Sequence, residues 1–333
     1  MGGRVYKVAA VTDIGAKKKS NQDAYCYHVA DTSCGPVAFA VICDGVGGLA
    51  SGEMASASVV KRFSQWFSEE FPSFIAYNVK DGLLRFDNLE GAWGQILSFM
   101  NDRIREYGAK NKKSLGTTFT GLILCQGHYF IGHVGDCRVY HFAGGGSSVL
   151  TEDQTFPQRE FNLGHITAEE LINHPKSNVL LQSVGTQSTV KPVFYSGSFA
   201  QDDYFLICCD GFYRHLGDEE INRRFKNLKF VSEEDLAKVC RDTVDFNMSN
   251  GERDNITVVC VADDSRYPDI AAQPFEGNPS SKFSSSKVED INATTSAFSS
   301  AEDIDAPTSV LDAAEYIDAP TSVLSPLHEG GEK

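Results

Sequence analysis

Residues 37–48 read VAFAVICDGVGG, and the interpretation of the whole sequence starts from this stretch. The apolar run at 37–43 has the length of a strand and predicts a buried one. Asp44 follows the run directly, and glycines at three of the next four positions permit a close turn of the chain. The stretch therefore predicts a carboxylate held at the end of a buried strand.

The same combination of an apolar run and an aspartate recurs later, where Asp210 follows the run at 204–209. Five motifs carry such aspartates, in this order: Asn21-Gln22-Asp23, Asp44-Gly45-Val46-Gly47-Gly48, Gly135-Asp136-Cys137-Arg138, Asp210-Gly211-Phe212 and Asp254-Asn255-Ile256-Thr257. Each motif alone is a common turn or cap, but their joint order is far more specific. Carboxylates gathered at strand ends predict a site for hard divalent cations, Mg²⁺ or Mn²⁺, which prefer oxygen ligands.

The composition is that of a globular protein. Of the 333 residues, 41% are hydrophobic, which suits one large domain or two small ones. The formal net charge of -15 argues against nucleic acid and anionic membranes as partners. The nine cysteines form no Cys-x-x-Cys pair, which favours a reduced, cytoplasmic protein. No apolar run approaches the ~20 residues that would span a membrane.

The order of the predicted elements indicates the fold class. Strands are predicted at 5–12, 24–30, 37–43, 117–125, 128–134, 138–143, 204–209 and 256–262. Helices are predicted at 51–71, 89–109, 168–173 and 233–246. This order predicts an α+β fold in which two antiparallel sheets carry helices on the outside.

The composition changes at Asp263, which predicts a folded domain over 1–263 and a tail over 264–333. Residues 265–333 hold twelve acidic residues against four basic ones. Such a segment buries too little apolar surface to offset its ordering entropy, so we expect disorder. The tail repeats itself with a period of 13 at 291–298, 304–311 and 317–324, where Thr295, Thr308 and Thr321 are equivalent.

Taken together, the motifs resemble those of the protein phosphatase 2C family, the metal-dependent Ser/Thr phosphatases, in its bacterial form. The resemblance covers residues 5–263 and includes three further features: Asp13-x-Gly15, Gly116-Thr117-Thr118 and a flap-like stretch at 151–175. It implies a four-layer α-β-β-α sandwich with a Mn²⁺ or Mg²⁺ centre of two ions at one end. It also implies an enzyme that hydrolyses phosphoserine and phosphothreonine in phosphoproteins and opposes a Ser/Thr kinase.

The resemblance assigns roles to the predicted catalytic residues Asp44, Asp210 and Asp254. Asp44 would bridge the two metals, and the Gly45 carbonyl would bind one of them. Asp210 and Asp254 would hold the other. Physical chemistry supports this arrangement, because two cations ~3.5–4 Å apart lower the pKa of a bridging water and clamp the phosphoryl oxygens for its attack.

Two further aspartates and one lysine complete the implied site. Asp23 would act mainly through a metal-bound water, and Asp136 with Asp210 would build the third metal site of bacterial members. The family usually places an arginine that grips the phosphate where this chain has Lys18. Lysine supplies the charge without the bidentate fork of arginine, so Lys18 is the predicted phosphate-binding residue with a weaker grip.

The general acid for the leaving alcohol is unassigned. Many members carry a histidine near the second motif, and Val46 and Leu49 occupy those positions here. A metal-bound water could serve instead. His174 is a candidate by default, but as part of His174-Pro175 at a helix end it is better explained as structural.

The tail suggests a partner and an alternative function. Thr308 and Thr321, and less clearly Thr295, precede a large apolar residue at the third following position. Phosphothreonine in that context resembles a ligand of forkhead-associated domains. The alternatives are a non-catalytic phosphatase-like scaffold, whose tail recruits such a domain, and a metal-dependent phosphatase of small molecules. The complete set of aspartates argues against the scaffold, which needs no metal ligands, and the acidic tail and flap-like stretch favour a protein substrate over a small molecule.

Overall fold

The computed structural model describes residues 6–47, 52–80, 83–226, 228 and 232–263. The strands are β1 (Tyr6–Asp13), β2 (Asp23–Thr32), β3 (Gly35–Gly47), β4 (Val79–Lys80), β5 (Leu83–Leu84), β6 (Leu115–Thr117), β7 (Phe119–Cys125), β8 (His128–Val134), β9 (Arg138–Ala143), β10 (Gly146–Val149), β11 (Val193–Ser198), β12 (Tyr204–Cys208) and β13 (Ile256–Asp263). The helices are α1 (Gly52–Gln65), α2 (Phe71–Asn78), α3 (Leu89–Asn111), α4 (Phe156–Asn162), α5 (Ala168–Ile172), α6 (Asp210–Tyr213), α7 (Gly217–Phe225) and α8 (Glu233–Ser249). The predicted tail lies outside the described residues.

The strands form two main antiparallel sheets that pack face to face. One sheet has the order β1-β13-β12-β9-β10, and the other has the order β11-β8-β7-β3-β2, with β6 paired to the end of β3. Helices α1 and α3 cover the second sheet, and α8 covers the first. The predicted α+β class with two antiparallel sheets and outer helices is confirmed.

Strand β3 is buried on both faces and separates two cores. Because side chains alternate along a strand, Ala40 and Ile42 pack between the sheets, whereas Phe39 and Val41 pack under α1 and α3. Alanine on the inner face lets the two sheets approach closely. Burial on both faces fixes the register of β3, since a slip by one residue would exchange the two sets of side chains.

Aromatic rings fill the core under α1 and α3. The buried Trp93 of α3 meets Phe63 edge-on at 5.4 Å and Phe119 at 5.8 Å between ring centroids. Such pairs contribute about 0.5–1.5 kcal/mol each beyond their burial. The helix layer is therefore a rigid support for the sheet that carries the second aspartate motif.

Two predicted boundaries are wrong in an informative way. The helix predicted to end at residue 71 continues through π-helical residues Trp66–Glu70 into α2. Pro72 does not end it, because it lies in the first turn of α2, where its missing N–H is not needed. Strand β3 continues past its apolar run to Gly47, so Asp44 lies within a strand rather than in a turn.

Several short elements lack a strong sequence signal and were not predicted, among them β10, β11, α4, α6 and α7. No helix in the described part of the chain is both long enough and apolar enough to cross a membrane.

Candidate metal centre

The first two aspartate motifs meet because their strands pair. Asp23 opens β2 and Asp44 lies near the end of β3, and the two are direct cross-strand partners in the antiparallel register. Directly opposed carboxylates repel each other, and such a pair is destabilising unless something offsets the charge. The register alone therefore places two acids side by side at one end of the sandwich.

The last two motifs meet at the same end through the other sheet. Asp210 begins α6 directly after β12, and Asp254 precedes β13, the neighbour of β12. Gly211 makes the approach possible, since a Cβ there would lie 2.0 Å from the carbonyl oxygen of Asn255. Only glycine fits at this crossing, which explains the Asp-Gly sequence in physical terms.

Asn255 joins the first and last motifs. Its side-chain amide donates to the carbonyls of Ile14 at 2.9 Å and Ser20 at 3.1 Å. Its Oδ1 accepts from the backbone N–H of Gln22 at 2.9 Å. These three hydrogen bonds of one side chain hold the loop after β1 against the start of β13. Sequence reasoning treated this asparagine as part of a motif and missed this clasp.

Three threonines orient the acids. Thr257 donates its hydroxyl to Oδ2 of Asp23 at 2.7 Å, while Oδ1 of Asp23 is buried with no hydrogen-bond partner. Thr118 accepts from the backbone N–H of Asp44 at 2.8 Å, and the Thr117 hydroxyl donates to the Asp44 carbonyl at 2.9 Å. These contacts leave carboxylate oxygens of both aspartates available for another ligand.

Gly45 lies in a tight backbone crossing. Its N–H donates to the Gln22 carbonyl at 3.1 Å, and an added Cβ would lie 2.5 Å from the backbone of Gly52. A side chain at this position would push the β3 end away from α1. The backbone carbonyl next to Asp44 is therefore held in place by the same packing that fixes the aspartate.

The carboxylates raise one another's pKa values. Burial raises the pKa of Asp23 to about 7, with further contributions from the charges of Asp210 and Asp254. Burial, followed by the charges of Asp23 and Asp210, holds the pKa of Asp44 well above its usual range. Burial likewise raises the pKa of Asp210. The cluster is a concentration of negative charge that the surrounding side chains only partly neutralise.

Asp136 occupies the turn between β8 and β9, beside the same cluster. Burial, then the charges of Asp210 and Asp153, holds its pKa well above the usual range. The hydroxyl of Tyr213 donates to the Asp136 carbonyl at 3.0 Å and ties this turn to α6. Asp136 thus lies within electrostatic reach of Asp210 and Asp44.

Lys18 lies against the cluster. Its Nζ is 2.5 Å from Oδ1 of Asp254. Partial burial lowers the pKa of Lys18, but the hydrogen bond to Asp254 and the charges of Asp44 and Asp210 outweigh it and raise the pKa. The ammonium is therefore fully charged at neutral pH, next to the predicted metal ligands.

Arg214 and Glu252 are charged residues of the cluster that sequence reasoning missed. The Arg214 guanidinium forms an ion pair with Asp210. Glu252 is buried, and its Oε1 accepts from the backbone N–H of Asp254 at 2.8 Å, which shapes the turn before β13. Neither residue lies in a motif with a metal-ligand pattern, so only the position of α6 beside this turn reveals them.

His174, the default candidate for the general acid, has a structural explanation. Its Nδ1 accepts from the backbone N–H of Lys176 at 3.1 Å, and its ring lies 5.8 Å from that of Phe156. These contacts close the turn after α5 within the flap-like stretch. They account for the side chain without a catalytic role.

The donor set fits hard divalent cations. Among the described residues, no three His, Cys, Asp or Glu side chains converge on one point as a closed cage. Mg²⁺ and Mn²⁺ do not require one, because they keep several waters and use few carboxylates. The unpartnered buried Oδ1 of Asp23, the raised pKa of Asp44 and the fixed Gly45 carbonyl all suit such an ion.

The sandwich of two antiparallel sheets, with outer helices and an acidic cluster at one end, agrees with the fold that the resemblance to the metal-dependent phosphatases implied. The sequence profile described as "Protein phosphatase 2C" matches residues 15–256. The chain therefore belongs to the protein phosphatase 2C family, whose members are protein serine/threonine phosphatases.

Individual relatives agree with this family. The serine/threonine phosphatase stp of Listeria innocua is 27% identical over 223 residues, which cover 66% of this chain and 82% of that protein. The solved serine/threonine phosphatase Stp1 from Staphylococcus aureus is 25% identical, with a TM-score of 0.66 over 78% of this chain and 96% of that one.

A third relative shares the fold at lower identity. It is the catalytic domain of the serine/threonine protein phosphatase PstP, solved in complex with two manganese ions. It is 23% identical, with a TM-score of 0.62, and the match covers 78% of this chain and 98% of that chain.

Proposed function

We propose that this chain is a phosphoprotein phosphatase that hydrolyses phosphoserine and phosphothreonine at a centre of two divalent cations and so opposes a Ser/Thr kinase. The cluster of mutually repelling carboxylates at the end of the sandwich carries the proposal. The manganese in the PstP complex makes Mn²⁺ the first cation to test.

The role of each acid follows from its position. Asp44, opposed to Asp23 across the sheet and within reach of Asp210 and Asp254, is the acid best placed to serve both cations. The Gly45 carbonyl adds a neutral oxygen beside it, and Asp210 and Asp254 add carboxylates from the other sheet. When bound, two such cations lower the pKa of a shared water and neutralise the phosphoryl oxygens.

The protein itself keeps the acids correctly aimed. Asn255 and Thr257 hold Asp23 and its loop, so the acid does not have to be ordered at each turnover. Thr117 and Thr118 do the same for the backbone of Asp44. Such preorganisation lowers the reorganisation energy of the reaction, which is generally a large part of catalysis.

Lys18 supports substrate binding at the same site. Its ammonium is charged, lies 2.5 Å from Asp254 and is partly exposed, so it can turn toward a phosphoryl oxygen. A point charge attracts a dianion without fixing its orientation. We therefore assign Lys18 to phosphate capture, with the cations responsible for orienting the phosphoryl group.

Phosphate release from a phosphothreonine peptide tests the proposal. Wild type with Mn²⁺ is compared with Asp210→Asn and with Asp31→Asn, an exposed aspartate near the far end of β2. We expect turnover in wild type and Asp31→Asn, abolition by EDTA, and a loss of ~10³-fold or more in Asp210→Asn, about 4 kcal/mol in activation free energy.

Two results would count against it. Turnover that survives both EDTA and Asp210→Asn would exclude the cation centre as the catalyst. A folded, Mn²⁺-loaded wild type that releases no phosphate would favour the non-catalytic scaffold instead.

The partners of the tail form a separate part of the proposal. Phosphorylation of Thr308 and Thr321, and of Thr295, by a Ser/Thr kinase would create repeated phosphothreonine ligands for a forkhead-associated domain. These threonines lie outside the described residues, so the repeat in the sequence is the support. Mass spectrometry of the tail after incubation with a cognate kinase tests it, and a tail without phosphothreonine would exclude it.

A further inference from the structure

Arg214 is placed by the same short helix that begins at Asp210. The two residues are four apart, which brings their side chains to one face, and the guanidinium forms an ion pair with the Asp210 carboxylate. The backbone N–H of Arg214 also donates to the Asp210 carbonyl at 2.9 Å. The backbone of Arg214 is thus fixed to Asp210, a predicted metal ligand.

Besides its ion pair with Asp210, the guanidinium feels the charges of acids from two other segments. Burial lowers the pKa of Arg214, but the charges of Asp210, Asp136 and Glu252 are among the causes that outweigh this and raise it. In return, the charge of Arg214 lowers the pKa of Asp136 against the effects of burial and of Asp210. The positive charge of this one side chain therefore partly offsets acidic charge in the turn after β8, at the start of α6 and in the turn before β13.

Lys18 and Arg214 differ in how firmly they are held. Lys18 comes from a loop, carries a flexible ammonium and pairs with Asp254 alone. Arg214 follows a helix that Tyr213 anchors to the Asp136 turn through a hydrogen bond of 3.0 Å. Arg138 covers the Tyr213 ring at 3.8 Å and stiffens the same anchor. The Arg214 guanidinium is therefore held in place by the fold, whereas the Lys18 ammonium can move.

The balance of charge in the acidic cluster also supports a fixed role for Arg214. Six carboxylates belong to the cluster: Asp23, Asp44, Asp136, Asp210, Asp254 and Glu252. With all six ionised, Lys18 and Arg214 contribute two positive charges, and two divalent cations bring the site to neutrality. A third divalent cation would make it positive, and at Oδ2 of Asp210 it would meet the guanidinium that already binds this oxygen.

We propose that the Arg214 guanidinium takes the place of a third divalent cation at Asp136 and Asp210, so that two cations complete this centre. The proposal rests on the two-cation function above and concerns only the third position. Asp136 then serves as a partner of Arg214 rather than as a metal ligand.

Counting bound Mn²⁺ by equilibrium dialysis of the full chain tests the proposal. We expect two ions in wild type, three in Arg214→Ala, because Asp136 and Asp210 become available, and two in Arg214→Lys, which keeps the positive charge. Asp136→Asn alone should still bind two ions, as wild type does. The double variant Arg214→Ala with Asp136→Asn should bind two ions instead of the three expected in Arg214→Ala.

Three ions in wild type, or two in a folded Arg214→Ala, would overturn the proposal. Thermal melting checks folding of each variant. If Arg214→Ala does not fold, Asp136→Asn still decides, since loss of one ion there would show that Asp136 binds a metal in wild type. A wild type that binds no ion and releases no phosphate would instead contradict the proposed function itself.

Discussion

Two buried or nearly buried carboxylates near the same end of the sandwich are treated in opposite ways. Asp153 receives two hydrogen bonds from Arg138, from Nε at 3.0 Å and from Nη2 at 2.8 Å. Asp44 has mainly other acids around it, and their charges add to burial in raising its pKa.

The difference separates structural acids from functional ones. Where a carboxylate holds the fold together, as Asp153 does, the chain supplies a bidentate arginine that compensates for its desolvation. At Asp44 the chain supplies rigid backbone contacts but too little positive charge. Such an arrangement is costly unless cations from solution complete it. Substitution of each acid should therefore affect stability in opposite directions.

The largest effect is expected for Asp44→Asn. Removing the acid that we propose serves both cations should reduce phosphate release by ~10³-fold or more, about 4 kcal/mol. The same change removes one of several repelling charges, so the metal-free protein should gain stability. Differential scanning calorimetry in EDTA should show a higher melting temperature than wild type, by about 2–4 °C for each kcal/mol gained. A lower melting temperature would contradict the assignment of uncompensated charge.

Asp153→Asn should instead lower the stability of the folded protein. It leaves the largely buried guanidinium of Arg138 without its bidentate partner, which costs about 3 kcal/mol in unfolding free energy. Urea unfolding measures the loss. Glu160→Gln is the matched control, because its ion pairs with Arg159 and His165 lie on the surface and should contribute much less to stability. Equal losses in the two variants would remove the distinction drawn for Asp153.

His133 extends the comparison to a buried base that is kept neutral. Burial lowers its pKa to about 4, although the charge of Asp153 opposes the shift. The unfolded chain binds this proton near pH 6.5 and the folded one only near 4, so stability falls as pH decreases through that window. The loss should reach about 3 kcal/mol. In His133→Asn, unfolding free energy should depend less on pH between 6.5 and 4 than it does in wild type.

The smallest effect is expected at Lys18. Lys18→Arg restores a bidentate fork next to Asp254 and should lower the KM for a phosphopeptide by roughly threefold to tenfold, up to about 1.4 kcal/mol. Lys18→Met should raise the KM by a similar factor. Steady-state kinetics with saturating Mn²⁺ separates KM from kcat. Unchanged KM values in both variants would remove Lys18 from phosphate capture.

The parts of the fold that sequence predicted are those with strong local signals. The bounds of β8 and β9 match the prediction at both ends, and the helix at 89–109 was two residues too short. The polar strand β10 and the half-exposed β11 are defined by pairing with β9 and β8, which no local pattern records. Tertiary pairing also draws β3 through Asp44 to Gly47, beyond its apolar run.

The residues of the candidate site likewise divide into those that the sequence predicted and those that it did not. The five aspartates and Lys18 were predicted, and the structure brings them to one end of the sandwich. Arg214 and Glu252 carry no motif of their own, and their meeting with Asp210 depends on how α6 lies beside the turn before β13. Charges that neutralise a cluster need only proximity, so no fixed spacing in the sequence reveals them.

The clasp made by Asn255 has a consequence for synthesis of the protein. It joins residues near the start of the chain to a segment more than two hundred positions later, and β1 pairs with β13 over its whole length. A nascent chain therefore cannot assemble the centre until β13 has emerged from the ribosome. Residues 264–333 are translated afterwards, which takes ~4–14 s at 5–20 residues per second. Those seconds let slow long-range pairing begin while the chain is still attached, and the enzyme stays inert until its last strand is in place.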